Sequence, residues 1–305
     1  MIDLLNSTLE KNNIQLSQTY TNEVWPIYFI IAQPRGVSTL FQQLILSNLD
    51  IAYVSNFLSK FYKTPLFGME LEKNIIDKQY KSNYLSNYGN TSGFNEPHEW
   101  GWFWKNNLDL IGSEHYTKLN DFTQLKYNLL SITNSKKLPL LIDNVYAMAN
   151  ILKFKKYFKN IRIISLTRNL YFICNSIINA RLSRYNNINQ FYGHPPKNIN
   201  QLLDVKNPIE QIVLQVKSIN KEINDITDSF QPSNILEIDY EEIYNDSYEV
   251  VKKFHTFVNV DDFNLKFKKK HLPKLIYRND KKLINPQYKE ELDFFYNKHL
   301  GHNND

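Results

Sequence analysis

A chain of 305 residues that is 42% hydrophobic and 14% aromatic, with only 8 glycines, can bury a sizeable core, which excludes a low-complexity polymer. Its formal charge of +5 is too small and too dispersed to argue for nucleic acid, but it suits a small anionic ligand. One cysteine, Cys174, excludes an internal disulfide and a cysteine-built metal cluster.

Residues 1–24 are polar and read as a short helical or loose lead-in, without the basic and apolar regions of a signal peptide. The run Ile27-Tyr28-Phe29-Ile30-Ile31-Ala32 is strand-length and rich in β-branched and aromatic residues, which predicts a central parallel strand. Pro34 ends it, Gly36 allows a close turn, and Ser38 and Thr39 stand where a helix N-cap belongs. Leu40, Phe41, Leu44 and Ile45 then supply a helical apolar face. A second strand is expected over 50–56, followed at 56–93 by a polar and aromatic stretch suited to a lid or an insertion of short helices. Residues 115–136 read as helix, 138–144 as strand, 147–159 as helix with its lysines outward, 161–166 as strand and 171–184 as helix. An asparagine-rich loop at 185–200 leads to a long helix at 208–228, a strand at 235–238 and a helix at 246–258. Strands alternating with helices at this pitch predict an α/β fold, a doubly wound, mainly parallel sheet flanked by helices. With no repeats and no clean linker, one domain over 1–305 is expected, its core at about 26–260, a partly inserted 56–135 and a basic, helical 261–305. No apolar run approaches the ~20 residues of a membrane span, and a reducing, cytoplasmic setting is the expectation.

A helix N-terminus at the carboxyl edge of a sheet offers backbone N–H groups and a positive dipole end to an anion. Arg35 adds a permanent charge whose fork suits phosphate or sulfate. One glycine and no lysine disfavour the Gly-Lys-Ser/Thr loop of nucleoside triphosphatases. The segment resembles instead the Pro-Arg-Ser-Gly-Ser/Thr-Thr-Leu loop of sulfotransferases, which holds the 5′-phosphosulfate of PAPS. Pro34, Arg35, Ser38, Thr39 and Leu40 match, while Gly36 replaces the family's serine and Val37 its glycine. The resemblance implies a P-loop-like sulfotransferase architecture, with Arg35, Gly36, Val37, Ser38 and Thr39 around the phosphosulfate.

Three further segments carry the same resemblance. Arg168 closes a strand, and Ser176 follows eight positions later on a helix, similar to the family's 3′-phosphate site; Asn169 and Leu170 replace its aspartate and proline. An arginine suits a terminal phosphate because its donors are bidentate. The run 235–246 resembles the family's Tyr-Glu-Asp-Leu segment, with Tyr240 packing and Glu241 orienting its neighbours. Asn95-Glu96-Pro97-His98 is similar to the Lys-Glu-Pro-His element of carbohydrate sulfotransferases, whose glutamate is the general base, with Asn95 in place of the lysine. Glu96 takes the glutamate's position, and His98 competes with it on intrinsic pKa. As alternate residues around Pro97, the two are expected to point the same way.

Trp100, Trp102 and Trp104 suit core packing, or stacking against a sugar or lipid-like acceptor. The histidines lack metal-site spacing, so no metal is expected. The basic runs 266–271 and 278–282 read as solvated helix faces, and Asp143 stands where many relatives carry lysine.

The resemblance implies sulfuryl transfer from PAPS to an acceptor hydroxyl or amine by in-line displacement, with Glu96 or His98 taking the proton and Arg35 beside the leaving phosphate. The arginine in the loop points to the bacterial and carbohydrate-type branches. The expected partner is a small-molecule, carbohydrate or lipid-like acceptor, and a homo-oligomer is compatible with it. The alternatives are an ATP-dependent small-molecule phosphotransferase, with Asp143 as its magnesium carboxylate, and an inactive module that binds PAP or another nucleotide.

Overall fold

Ile27–Ala32 (β1) is apolar along its whole length, so both of its faces need cover and it cannot be an edge strand. In the computed structural model, which describes residues 1–75, 80–87, 89–259, 263, 265–268, 272 and 283–301, β1 lies inside a four-stranded sheet. The remaining strands are the short hairpin Ser86–Asn87 (β2) and Asn90–Thr91 (β3), then Leu140–Asp143 (β4), Ile161–Thr167 (β5) and Ile235–Asp239 (β6). The sheet runs β4-β1-β5-β6 and every pairing in it is parallel, with Ile27 opposite both Leu140 and Ile161.

Alternate β1 side chains enter different cores, as the two-residue strand period requires. The helices are Ile2–Ser17 (α1), Ser38–Asn48 (α2), Pro65–Ile75 (α3), Gly101–Asn107 (α4), Thr123–Lys136 (α5), Val145–Phe154 (α6), Leu170–Tyr185 (α7), Ile199–Leu203 (α8), Pro208–Ser229 (α9), Tyr240–Asn245 (α10), Ser247–Asn259 (α11) and Lys289–Leu300 (α12). Ile27, Phe29 and Ile31 pack against α4, α6 and the second half of α9, including Trp104, Ile151, Phe154 and Ile219. Tyr28 and Ile30 face α2 and α11, meeting Phe41, Leu44, Val250 and Phe254. The sheet is therefore wound on both faces. A third core joins α7, the first half of α9 and α12.

Several expectations change. Segment 50–56 contributes a single parallel bridge, Ala52 opposite Leu140, made by Ala52 N–H to Pro139 O (2.8 Å) and Leu141 N–H to Ala52 O (2.9 Å). The chain then turns at Ser55, whose hydroxyl accepts from Leu58 N–H. Helix 115–136 shortens to α5, because Asp121 caps the Thr123 N–H and the preceding residues run irregularly beside α6, with Lys153 Nζ donating to Thr117 and Leu119 carbonyls. Helix 147–159 ends at Phe154. Lys266, Phe267 and Lys268 form no helix: Phe267 bridges Leu49, and Lys268 Nζ donates to Leu46 O and pairs with Asp50. Residues 269–271 and 278–282 lie outside the described residues. No described helix is long and apolar enough to cross a membrane.

Candidate functional site

The loop after β1 is held by its own backbone. Gly36 N–H donates to Gln33 O (2.9 Å), and Gln33 Nε2 reaches across to Val216 O (2.9 Å). A Cβ at Gly36 would lie 2.7 Å from Gln33 O and 3.0 Å from Ala32 Cβ, so glycine is required there for space. Left-handed backbone falls instead on Arg35 and Val37, each at φ 69°. Val37, standing where the resembled loop has glycine, packs its side chain on the α2–α11 core, which holds a conformation that β-branched residues resist. Helix α2 starts at Ser38 with no side-chain cap, which leaves its first-turn N–H groups available at the sheet's carboxyl edge.

Arg168, just after β5, donates from Nη1 to the Arg35 carbonyl (2.7 Å) and stacks 4.3 Å above the Tyr240 ring. Arg35 Nε in turn donates to Ser176 Oγ on α7 (3.3 Å). The ends of β1, β5 and β6 thus join at one point. Arg35, Gly36, Val37, Ser38, Thr39, Arg168 and Ser176 all line a single cavity of about 1000 Å³. Sequence reasoning separated the two anion ends along the chain, and the fold brings them into contact.

The two candidate bases lie elsewhere. Glu96 is buried behind α2, where its carboxylate accepts from Gln43 Nε2 (2.9 Å), Tyr80 OH (2.8 Å), Ser82 Oγ (3.1 Å) and Asn83 N–H (3.0 Å). It does not line the cavity. His98 accepts the Trp100 N–H at Nδ1 (2.7 Å), which puts its proton on Nε2. Burial, and then Lys60 nearby, lower its pKa, so the ring is neutral. The expectation that the two residues point the same way fails because 95–99 is no strand: among the described residues its sheet pairing is one isolated antiparallel bridge, Ser55 to Pro97.

Two carboxylates that the sequence did not suggest as a base, Asp143 and Glu99, line the cavity. Asp143 ends β4 inside the cavity and accepts the Ser38 hydroxyl; enclosure raises its pKa to about 6 despite that bond. Glu99 is exposed by surface area although protein atoms crowd around its carboxylate; that crowding, then the Asp143 charge, raises its pKa to about 8. A Cβ at Gly89 (φ 87°) would stand 2.9 Å from Glu99 Oε1 and 3.9 Å from Thr39 Oγ1, so the hairpin passes close over both. On the far wall the His115 and His194 rings lie 5.0 Å apart, and burial together with His194 drops His115 to about 4.

A second cavity, of about 1070 Å³, adjoins the first, and Gly89, Glu99, Asn144 and Val145 line both. His98 faces only this second cavity. Trp100 and Trp104 are buried, whereas Trp102 is 69% exposed at its rim, so the tryptophan cluster divides between packing and surface. Among the described residues no group of three or more His, Cys, Asp or Glu could hold a metal ion.

Neither a protein-family model nor a curated protein sequence matches the chain. Solved structures do. The sulfotransferase STF1 from Mycobacterium tuberculosis H37Rv superposes with a TM-score of 0.58 at 9% identity, over 96% of this chain and 81% of that one. The sulfotransferase STF9 from Mycobacterium avium gives 0.55 at 11% identity, over 97% and 81%. At such identity the likeness speaks for the backbone alone: the parallel sheet, the strand-loop-helix at its edge and the helices on both faces are the P-loop-like fold of the sulfotransferases.

Proposed function

We propose that the protein moves a sulfuryl group from PAPS to an acceptor hydroxyl. The observation that carries the reading is the meeting of Arg35, Arg168 and Ser176 with the uncapped start of α2 in one cavity. That is a site for two neighbouring anionic groups. The residues suit PAPS: the α2 N–H groups, Ser38, Thr39 and Arg35 would hold the 5′ end, and Arg168 with Ser176 the 3′-phosphate. PAPS supplies the activated sulfuryl group when bound.

Glu99 is the base in this reading, because it is the one described carboxylate that lines both cavities. Its raised pKa matches proton acceptance near neutral pH. Asp143 raises Glu99 and fixes Ser38. Arg35 stabilises negative charge as it grows on the leaving phosphate. Glu96 shapes the wall behind α2, and His98 presents a donor to the acceptor side.

One observation favours a second reading. A strand-end carboxylate bonded to the loop hydroxyl, Asp143 to Ser38, is also what a magnesium-dependent phosphotransferase would need. Calorimetry with PAP and with ADP, in magnesium and in EDTA, separates them. The sulfotransferase reading predicts tight PAP binding that EDTA leaves unchanged, with ADP at least tenfold weaker. Magnesium-dependent binding of ADP in preference to PAP supports the phosphotransferase, and no binding of either nucleotide rejects both.

A further inference from the structure

We propose that the second cavity binds the acceptor, and that the acceptor is a hydroxylated ring compound carrying an acid group. The proposal deepens the sulfotransferase reading and rests on it for the role of Glu99. The cavity is joined to the first along Gly89, Glu99, Asn144 and Val145, and Glu99 is the carboxylate among those shared residues. Its wall carries Tyr62, Trp102 and Tyr146, with the Tyr62 and Trp102 rings 6.4 Å apart. A Trp that is 69% exposed while its neighbours Trp100 and Phe103 stack inside the core contributes little to folding. Such a surface suits the face of an aromatic or pyranose ring.

The charges on the wall select for an acid. Lys105 is held by donating to Gly112 O (2.7 Å), with its ammonium 5.5 Å from the Tyr146 ring centre and 5.9 Å from that of Trp102. That leaves the cation fixed beside the aromatic face with donors to spare. Lys60 lines the same cavity and is close enough to His98 to lower its pKa. Among the described residues no carboxylate pairs with either lysine. The acidic lining residues are Asp3 and, at the inner end, Glu99. An acid group at Lys60 or Lys105, a ring on Trp102 and a hydroxyl at Glu99 would each meet part of this lining.

The chemistry admits a phenolic acid or a uronic acid, and the test separates these sources. Tryptophan fluorescence and calorimetry would follow binding of 4-hydroxybenzoate and of methyl β-glucuronide, each against its neutral counterpart, 4-hydroxybenzamide and methyl β-glucoside. The wild-type protein, with and without PAP, should bind at least one acid roughly tenfold more tightly than its neutral partner, as a charge-assisted contact implies. Lys60→Gln with Lys105→Gln should abolish that preference while leaving PAP binding intact. Trp102→Ala should weaken the acid and neutral probes of the preferred ring type alike. Equal binding of acid and neutral probes, binding of neither, or a preference that survives the double lysine variant would overturn the proposal. Acid-selective binding in a protein that does not bind PAP would overturn the donor reading and leave the cavity assignment standing.

Discussion

At the scale of single residues, the loop after β1 holds its shape against its own preferences. A valine at φ 69° stores about 1–2 kcal/mol. Val37→Gly should therefore leave stability within about 1 kcal/mol of wild type, because the released strain offsets the 0.5–1 kcal/mol entropic cost of glycine and the lost packing. Gly36→Ala should behave oppositely: a Cβ 2.7 Å from Gln33 O forces the loop open. Thermal melts with PAP titrations would compare the two, and a Gly36→Ala variant with native affinity would contradict the loop account. The carboxylates give a test by pH. Glu99 and Asp143 ionise near 4 in the unfolded chain but at about 8 and about 6 when folded. Between those limits the folded state binds more protons, so stability should fall as pH rises from about 4 to 8. Glu99→Gln should flatten the upper part of that slope and cost roughly 10² or more in kcat. It should also remove the limb by which the rate climbs toward pH 8. Glu96→Gln should do neither; it sets an amide against four donors, at about 1–3 kcal/mol of stability. If Glu96→Gln kills transfer at full stability and Glu99→Gln does not, the roles are exchanged.

At the scale of elements, what the sequence revealed follows from how each segment is buried. Strands β1, β4 and β5 are short, mostly apolar runs between helical patterns, a signal that parallel sheets produce because both faces are covered, whereas β6 at the sheet's edge is partly exposed. Segment 50–56 has the same look, yet among the described residues it makes only the isolated bridges Ala52–Leu140 and Ser55–Pro97, since composition does not tell an edge from a pairing strand. That Arg35, Arg168 and Ser176 would gather at one place was legible, because a strand-end arginine and a hydroxyl on the following helix can converge at the sheet's carboxyl edge. Glu99 was not, because choosing among Glu96, His98 and Glu99 needs the turn of a segment without regular period. On α4 Trp102 faces outward while Trp104 faces the core, and Trp100, just before the helix, is buried too, which no composition reveals. The α10 element makes a prediction of its own. The Tyr240 ring lies under Arg168 and positions its guanidinium. Tyr240→Ala should weaken PAP binding several-fold, whereas Tyr240→Phe, which keeps the ring face, should restore it. Loss of affinity in both variants would assign the effect to the hydroxyl instead.

At the scale of the molecule, the parallel sheet brings the ends of β1, β4, β5 and β6 to one edge, so residues from Arg35 to Tyr240 converge there. Two cavities then meet at Glu99, one lined by arginines, which the proposal gives to the donor, and one by aromatics and lysines, which it gives to the acceptor. The central claim is that the arginine-lined cavity reads two separate anionic groups, one of them a 3′-phosphate at Arg168. The most direct measurement is calorimetric, with PAP and adenosine 5′-phosphosulfate titrated into wild type and Arg168→Ala. The account predicts that the variant loses roughly tenfold to a hundredfold in affinity for PAP, the worth of a charge-assisted contact. Its affinity for adenosine 5′-phosphosulfate, which lacks the 3′-phosphate, should change by less than about threefold. Equal losses for the two ligands would contradict the account, because Arg168 would then be supporting the loop through the Arg35 carbonyl and reading no phosphate.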